Sequence, residues 1–127
     1  MDTNEVNTES GEPADLYLGL GNLVYALAKV DGRIQSEETQ LARKLLAAQP
    51  HGELALHAFF LLENCNVPVE EAYGFAMRRF INNKKIMTAP TKKQFVDILV
   101  RIADAYDDTS RKEQELIKRF RRDIRRL

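Results

Sequence analysis

Hydrophobic residues recur along this chain at the three-to-four spacing of α-helices, and no stretch alternates convincingly as a strand would. From Ala14 to Val30 they fall at Leu16, Leu20, Leu23, Val24, Leu27 and Val30, which makes one wide apolar stripe. Gly19 and Gly21 interrupt it. Each costs a helix about 1 kcal/mol against alanine, so glycines kept in an apolar stripe predict that another helix approaches closely there. Asp31-Gly32 ends the helix, because glycine takes the left-handed cap conformation. Ser36 is expected to cap a second helix, with Glu37 and Glu38 in its first turn and Leu41, Leu45 and Leu46 on its apolar face. That helix runs to about Ala48, before Pro50 and Gly52.

A third helix is predicted from Glu53 to Asn64, with a nearly all-round apolar surface from Leu54, Leu56, Phe59, Phe60 and Leu62. Asn66 is expected to cap a fourth, with Pro68 near its first turn and Ala72, Phe75, Ala76, Phe80 and Ile81 along it. Residues 82–90 form the longest internal loop, exposing Lys84 and Lys85. Thr91-Lys92-Lys93-Gln94 fits a capping box that opens a fifth helix through Phe95, Ile98, Leu99, Ile102 and Ala103. Ser110-Arg111-Lys112-Glu113 fits another, opening a last helix through Leu116, Ile117, Phe120 and Ile124. The fold class is all-α, a compact bundle of about six helices.

The first and last hairpins resemble each other. An offset of 75 pairs Leu20 with Phe95, Leu23 with Ile98, Val24 with Leu99, Leu27 with Ile102 and Ala28 with Ala103. Beyond the turn it pairs Glu38 with Glu113, Leu41 with Leu116 and Leu45 with Phe120. Helical period alone produces some of this agreement. The shared break, with a glutamate just inside the second helix of both copies, points to a pseudo-repeated helix-turn-helix hairpin. Two such hairpins flanking a central pair would pack with pseudo-two-fold character.

Composition narrows the class without naming a function. At 127 residues the chain suits one core, so residues 1–13 read as a flexible acidic tail and 14–127 as a single helical domain. Formal net charge is zero, which removes any global field toward nucleic acid or membrane. Charge is nonetheless uneven: the first fifteen residues carry five acids and no base, whereas eight bases and three acids follow from Arg111 onward. The single cysteine, Cys65, excludes an internal disulfide and a cysteine-rich zinc site, and a buried thiol is expected. The start is acidic rather than basic then apolar, and apolar runs such as Ala58 to Leu62 are too short to span a bilayer. A cytoplasmic protein without a transmembrane segment is expected.

Asp31 to Glu38 looks at first like the back half of a calcium-binding EF-hand loop, with Gly32 at its sharp turn and Ile34 where an aliphatic residue belongs. The loop's earlier oxygen ligands would then fall on Leu27 and Lys29. In the second hairpin Ile102 and Tyr106 occupy ligand positions. Neither copy supplies the donors, so the EF-hand reading fails on residue chemistry. A closer match exists for Ala28-Lys29-Val30-Asp31-Gly32-Arg33-Ile34 followed by Glu38, and for Ile102-Ala103-Asp104-Ala105-Tyr106-Asp107-Asp108 followed by Glu113. This pattern resembles the TerB-like family, named for a tellurite-resistance protein, whose helical domain also begins some membrane-anchored co-chaperones. The second copy lacks the glycine and isoleucine of the family's motif.

The resemblance implies a binding or scaffold domain in tellurite, metal or general stress response, with no catalytic residues and another protein as partner. It also implies an acidic surface able to hold a divalent cation, for which Asp31, Glu38, Asp104, Asp107 and Glu113 are the matching positions. Against that stands a plainer role: Asp31-Gly32 terminates a helix, and Glu38 sits favourably at a helix N-terminus.

Other motifs add little chemistry. His51 and His57 are six apart, which does not place two ligands on one helical face, and Gly19-Leu20-Gly21 lies inside a helix rather than in a nucleotide-binding turn. The strongest charge feature is the run holding Lys118, Arg119, Arg121, Arg122, Arg125 and Arg126. It either complements the helix dipole on a solvated face or binds nucleic acid or another anionic surface. A third reading, a helical enzyme or small-ligand pocket lined by Phe59, Phe60, Tyr73 and Tyr106, would be at odds with a filled core.

Overall fold

The computed structural model describes residues 13–32, 36–105 and 109–127; the acidic tail up to Glu12, Ile34, Tyr106 and Asp107 lie outside them. Six α-helices and no strand are present among the described residues: α1 (Ala14–Lys29), α2 (Ser36–Ala47), α3 (Gly52–Asn64), α4 (Val69–Asn82), α5 (Ala89–Ala103) and α6 (Arg111–Ile124). The all-α class expected from periodicity is what the chain forms.

α1 is the axis. It touches each of the other five helices, and its closest packing is against α4 and α3. Leu20, Leu23, Val24, Tyr25, Ala26 and Leu27 are wholly buried, so the helix is covered on all sides over about two turns rather than along one stripe. The two glycines explain how. A Cβ at Gly19 would sit 2.9 Å from Phe80 Cε1 on α4, and one at Gly21 would sit 2.2 Å from the Ala55 carbonyl oxygen on α3. Each glycine therefore admits a different neighbour, as their place in the stripe predicted.

Aromatic rings link the helices around this axis. Tyr17 on α1 meets Phe95 on α5 edge-on at 5.8 Å, Phe95 meets Phe80 on α4 at 5.7 Å, and Phe80 meets Phe120 on α6 at 5.8 Å. A polar clamp closes the α1–α4 seam. Arg79 pairs with Asp15 and donates from Nε to the buried Asn22 amide oxygen at 3.2 Å, while Asn83 donates to Asp15 at 3.0 Å. Asn22 is 4% exposed, and this bond supplies its amide oxygen with the donor that burial would otherwise remove.

Several boundaries differ from the sequence expectation. α5 begins at Ala89, capped by Thr88, whose hydroxyl accepts from Thr91 N; Pro90 falls in the first turn, where its missing N–H costs nothing. Thr91 is thus inside the helix rather than its cap. Asn66 does not cap α4. It adopts a left-handed conformation at φ 52°, which asparagine tolerates, and the extended Pro68 precedes the helix instead. A short 3₁₀ turn, Lys84–Ile86, occupies part of the expected loop. α3 is not apolar all round in its environment: Leu54 and Leu61, two turns apart, are exposed. Cys65, expected to be buried, is exposed just past the end of α3.

Candidate functional site

The two hairpin corners lie together. α1 stops where the Gly32 amide donates to the Lys29 carbonyl at 2.8 Å, with Gly32 at φ 96°, a conformation glycine adopts without strain. The exposed Asp31 beside it accepts from the Ser110 hydroxyl at 3.2 Å. Ser110 caps α6, so a carboxylate poorly placed at the negative end of α1 is well placed at the positive end of α6. The expected capping box is present: Ser110 N donates to Glu113 Oε1 at 2.9 Å, and Glu113 N donates to Ser110 Oγ at 3.0 Å. Glu113 is 2% exposed and is committed to this box. Glu38, third residue of α2 as Glu113 is third of α6, is buried as well.

Asp104 is exposed and accepts from the Thr109 hydroxyl next to the cap. The corner thus gathers Asp31, Asp104 and Glu113 around one helix N-terminus, where all three carboxylates serve as hydrogen-bond acceptors for Thr109 and Ser110. Asp107 lies outside the described residues. Among the described residues, no group of three His, Cys, Asp or Glu side chains is arranged to hold a metal ion.

The basic residues of the last helix separate into two sets. Arg119 and Arg122 turn toward α4 and the helix's own acid. Arg119 stacks over the Tyr73 ring at 4.0 Å and donates to Glu70 at 2.8 Å, while Arg122 donates to Asp123 at 3.2 Å. Tyr73 donates its hydroxyl to Asp123 at 2.7 Å. Burial, then that hydrogen bond, pushes the Tyr73 phenol well above its ordinary range. Burial alone would raise the Asp123 carboxyl, but the hydrogen bonds from Tyr73 and Arg122 prevail and hold it low. The hydrogen bond from Arg119 likewise lowers Glu70. These groups tie α4 to α6 and are engaged with one another.

Arg121 and Arg125 face the other way. With Lys118 they form one wall of a groove whose second wall is Lys92, Lys93 and Asp97 of α5, with Val96 and Ile124 on its floor; its volume is about 650 Å³. Asp97 accepts from Lys93 Nζ at 3.3 Å. Lys92, Lys118, Arg121 and Arg125 form no ion pair with any described residue. Arg126 is exposed outside the groove lining. Beside it a second cavity of about 310 Å³ is bounded by Val100, Thr109, Gln114, Ile117, Lys118 and Arg121.

No protein-family model, curated protein or solved structure matches this chain.

Lys92 and Lys93 are the groove residues that sequence reading overlooked, because the pair was absorbed into a supposed helix cap. The signal was present. α5 and α6 form a hairpin, which brings the start of one helix beside the end of the other, so lysines early in α5 must neighbour arginines late in α6. Phe59 and Tyr73 are packed in the core, at 1% and 2% exposure. No described helix is long and apolar enough to cross a membrane.

Proposed function

We propose that this chain is a non-enzymatic, cytoplasmic helical binding domain of TerB-like type that takes an anionic partner into the groove between α5 and α6. One observation carries the reading: five cationic side chains from two helices line a single concavity whose one carboxylate is already paired with Lys93. Charges of one sign held together in a cleft raise local potential and favour an oppositely charged ligand. The TerB-like part is supported by the Ala28-to-Ile34 motif with Glu38. It is also supported by helix starts: Ala14 and Ala89, and Ser36 and Arg111, stand at the same offset as the paired core residues. A stress-related role follows from that resemblance alone.

The test is binding of labelled poly-glutamate at low and moderate salt. Reversing charge at Lys118, Arg121 and Arg125 to glutamate together should weaken binding roughly tenfold or more, since each exposed contact contributes up to about 1 kcal/mol. The same reversal at Lys84 and Lys85, exposed on the 3₁₀ turn, should leave it unchanged. Equal losses in the two variants would show bulk charge at work and remove the groove from the account.

A second reading, weak divalent-cation binding, comes from the family resemblance, and its Asp31 and Asp104 positions lie at the same corner, where they accept from Ser110 and Thr109. Titrating magnesium and calcium while following amide shifts should move Asp31, Asp104 and Ser110 before any other signals. Shifts spread evenly over all surface acids would discard a specific corner site.

A further inference from the structure

We infer that the partner is an acidic peptide segment carrying one bulky apolar anchor residue, rather than a nucleic acid or a lipid surface. This rests on the anionic-groove reading and adds what the groove selects. The basic groove does not stand alone: Lys118 and Arg121 also border the smaller cavity, which has Val100 and Ile117 on its walls. The two cations therefore stand at the junction of an apolar recess and a positive channel. A ligand that fills both must place an apolar side chain in the recess and carboxylates immediately beside it, with further carboxylates running toward Lys92, Lys93 and Arg125.

The polar groups at the recess rim do not compete for the ligand. The Thr109 hydroxyl donates to Asp104, and the Gln114 side-chain amide donates to the Thr109 carbonyl at 3.3 Å. That leaves the recess free to accept a purely apolar group, whose removal from water is favourable in proportion to the area buried. Single-stranded nucleic acid is held chiefly by bases stacked on aromatic rings, and neither cavity lining includes one. A lipid surface meets a convex or flat basic face bearing exposed apolar residues. Here the cations line a concavity instead. A peptide laid along a helix–helix groove, with one anchor and flanking acids, fits both halves.

The experiment compares four probes on the full chain by fluorescence anisotropy or co-sedimentation. They are a glutamate-rich peptide with one central leucine, the same peptide with alanine in its place, a single-stranded oligonucleotide, and phosphatidylserine vesicles. The leucine peptide should bind roughly tenfold tighter than the alanine peptide, the difference expected for burying the larger side chain. Lys118→Glu should weaken both peptides. Gln114→Leu, at an exposed helical position that tolerates leucine, makes the recess wall more apolar and should tighten the leucine peptide more than the alanine peptide. Equal binding of the two peptides, still weakened by Lys118→Glu, would overturn the anchor while leaving the anionic groove standing. Tighter binding of the oligonucleotide or the vesicles than of either peptide would overturn the peptide assignment. Binding by none of the four would overturn the groove itself.

Discussion

Phe80→Ala should lower the free energy of unfolding by about 4 kcal/mol, within the range for deleting a fully buried phenylalanine. Phe80 has no exposed surface, and it meets three other helices. Its edge lies over Gly19 of α1, and its face tilts against Phe95 of α5 and Phe120 of α6. Truncation opens a cavity at the junction of four helices, where no single helix can move in to fill it without leaving another. Phe80→Leu should lose much less, because most of the volume is kept. Urea unfolding followed by far-ultraviolet circular dichroism gives both values. A loss below about 1 kcal/mol for the alanine variant would mean that the bundle collapses around the gap, against the rigidity expected of close-packed interiors. The neighbouring glycine supplies a second check. Gly19→Ala should cost less in the Phe80→Leu background than alone, since the ring edge that the new methyl would strike has gone.

How much of this molecule was legible in its sequence depends on the range of the interaction concerned. Helix identity comes from the spacing of residues such as Leu20, Leu23, Val24 and Leu27, which is local and periodic. The cap at Ser110 was legible too, because Ser110 and Glu113 satisfy each other within one turn. Boundaries failed where two local signals competed. Thr88 and Thr91 both offer a capping hydroxyl, and Pro90 decides between them by fitting the first turn that Thr88 opens. Asn66 has a capping side chain, but Pro68 already fixes the extended approach to α4, and the Asn66 amide oxygen accepts from Lys29 instead.

The candidate site was half legible for the same reason. Eight bases from Arg111 onward announce a charged helix, yet nothing local says that Arg119 and Arg122 are held by Glu70, Tyr73 and Asp123 while Arg121 and Arg125 face Lys92 and Lys93. That division depends on the rotation of α6 between α4 and α5, a tertiary quantity. The same holds for the corner. Asp31 and Ser110 are 79 residues apart, and their hydrogen bond exists only because the two hairpins end on the same side of the bundle.

Gly21→Ala should destabilise the fold by about 2–3 kcal/mol, although alanine is the better helix former by about 1 kcal/mol. The sign is set by what the methyl would meet. Its nearest neighbour, at 2.2 Å, is the carbonyl oxygen of Ala55, with the Ala58 methyl at 3.0 Å. Backbone inside α3 has no rotamer to change, and that carbonyl is part of the helical ladder. α1 and α3 must therefore separate by about an ångström along a seam where Ala55, Phe59 and Leu62 are buried, losing dispersion contacts over its length. No side-chain truncation can relieve a clash with backbone, so Gly21→Ala should have no second-site rescue at Ala58, in contrast to Gly19 and its flexible ring partner. Gly74→Ala is the internal control. Gly74 also lies within a helix, α4, but a methyl there would meet only the Arg78 guanidinium at 3.8 Å. Nothing opposes the propensity gain, and the substitution should stabilise by about 0.5–1 kcal/mol. One chemical change thus has opposite signs at two helical glycines, and chemical denaturation of the pair measures both. If Gly21→Ala proved neutral or stabilising, the close approach of α1 to α3, and with it the central place of α1, would have to be given up.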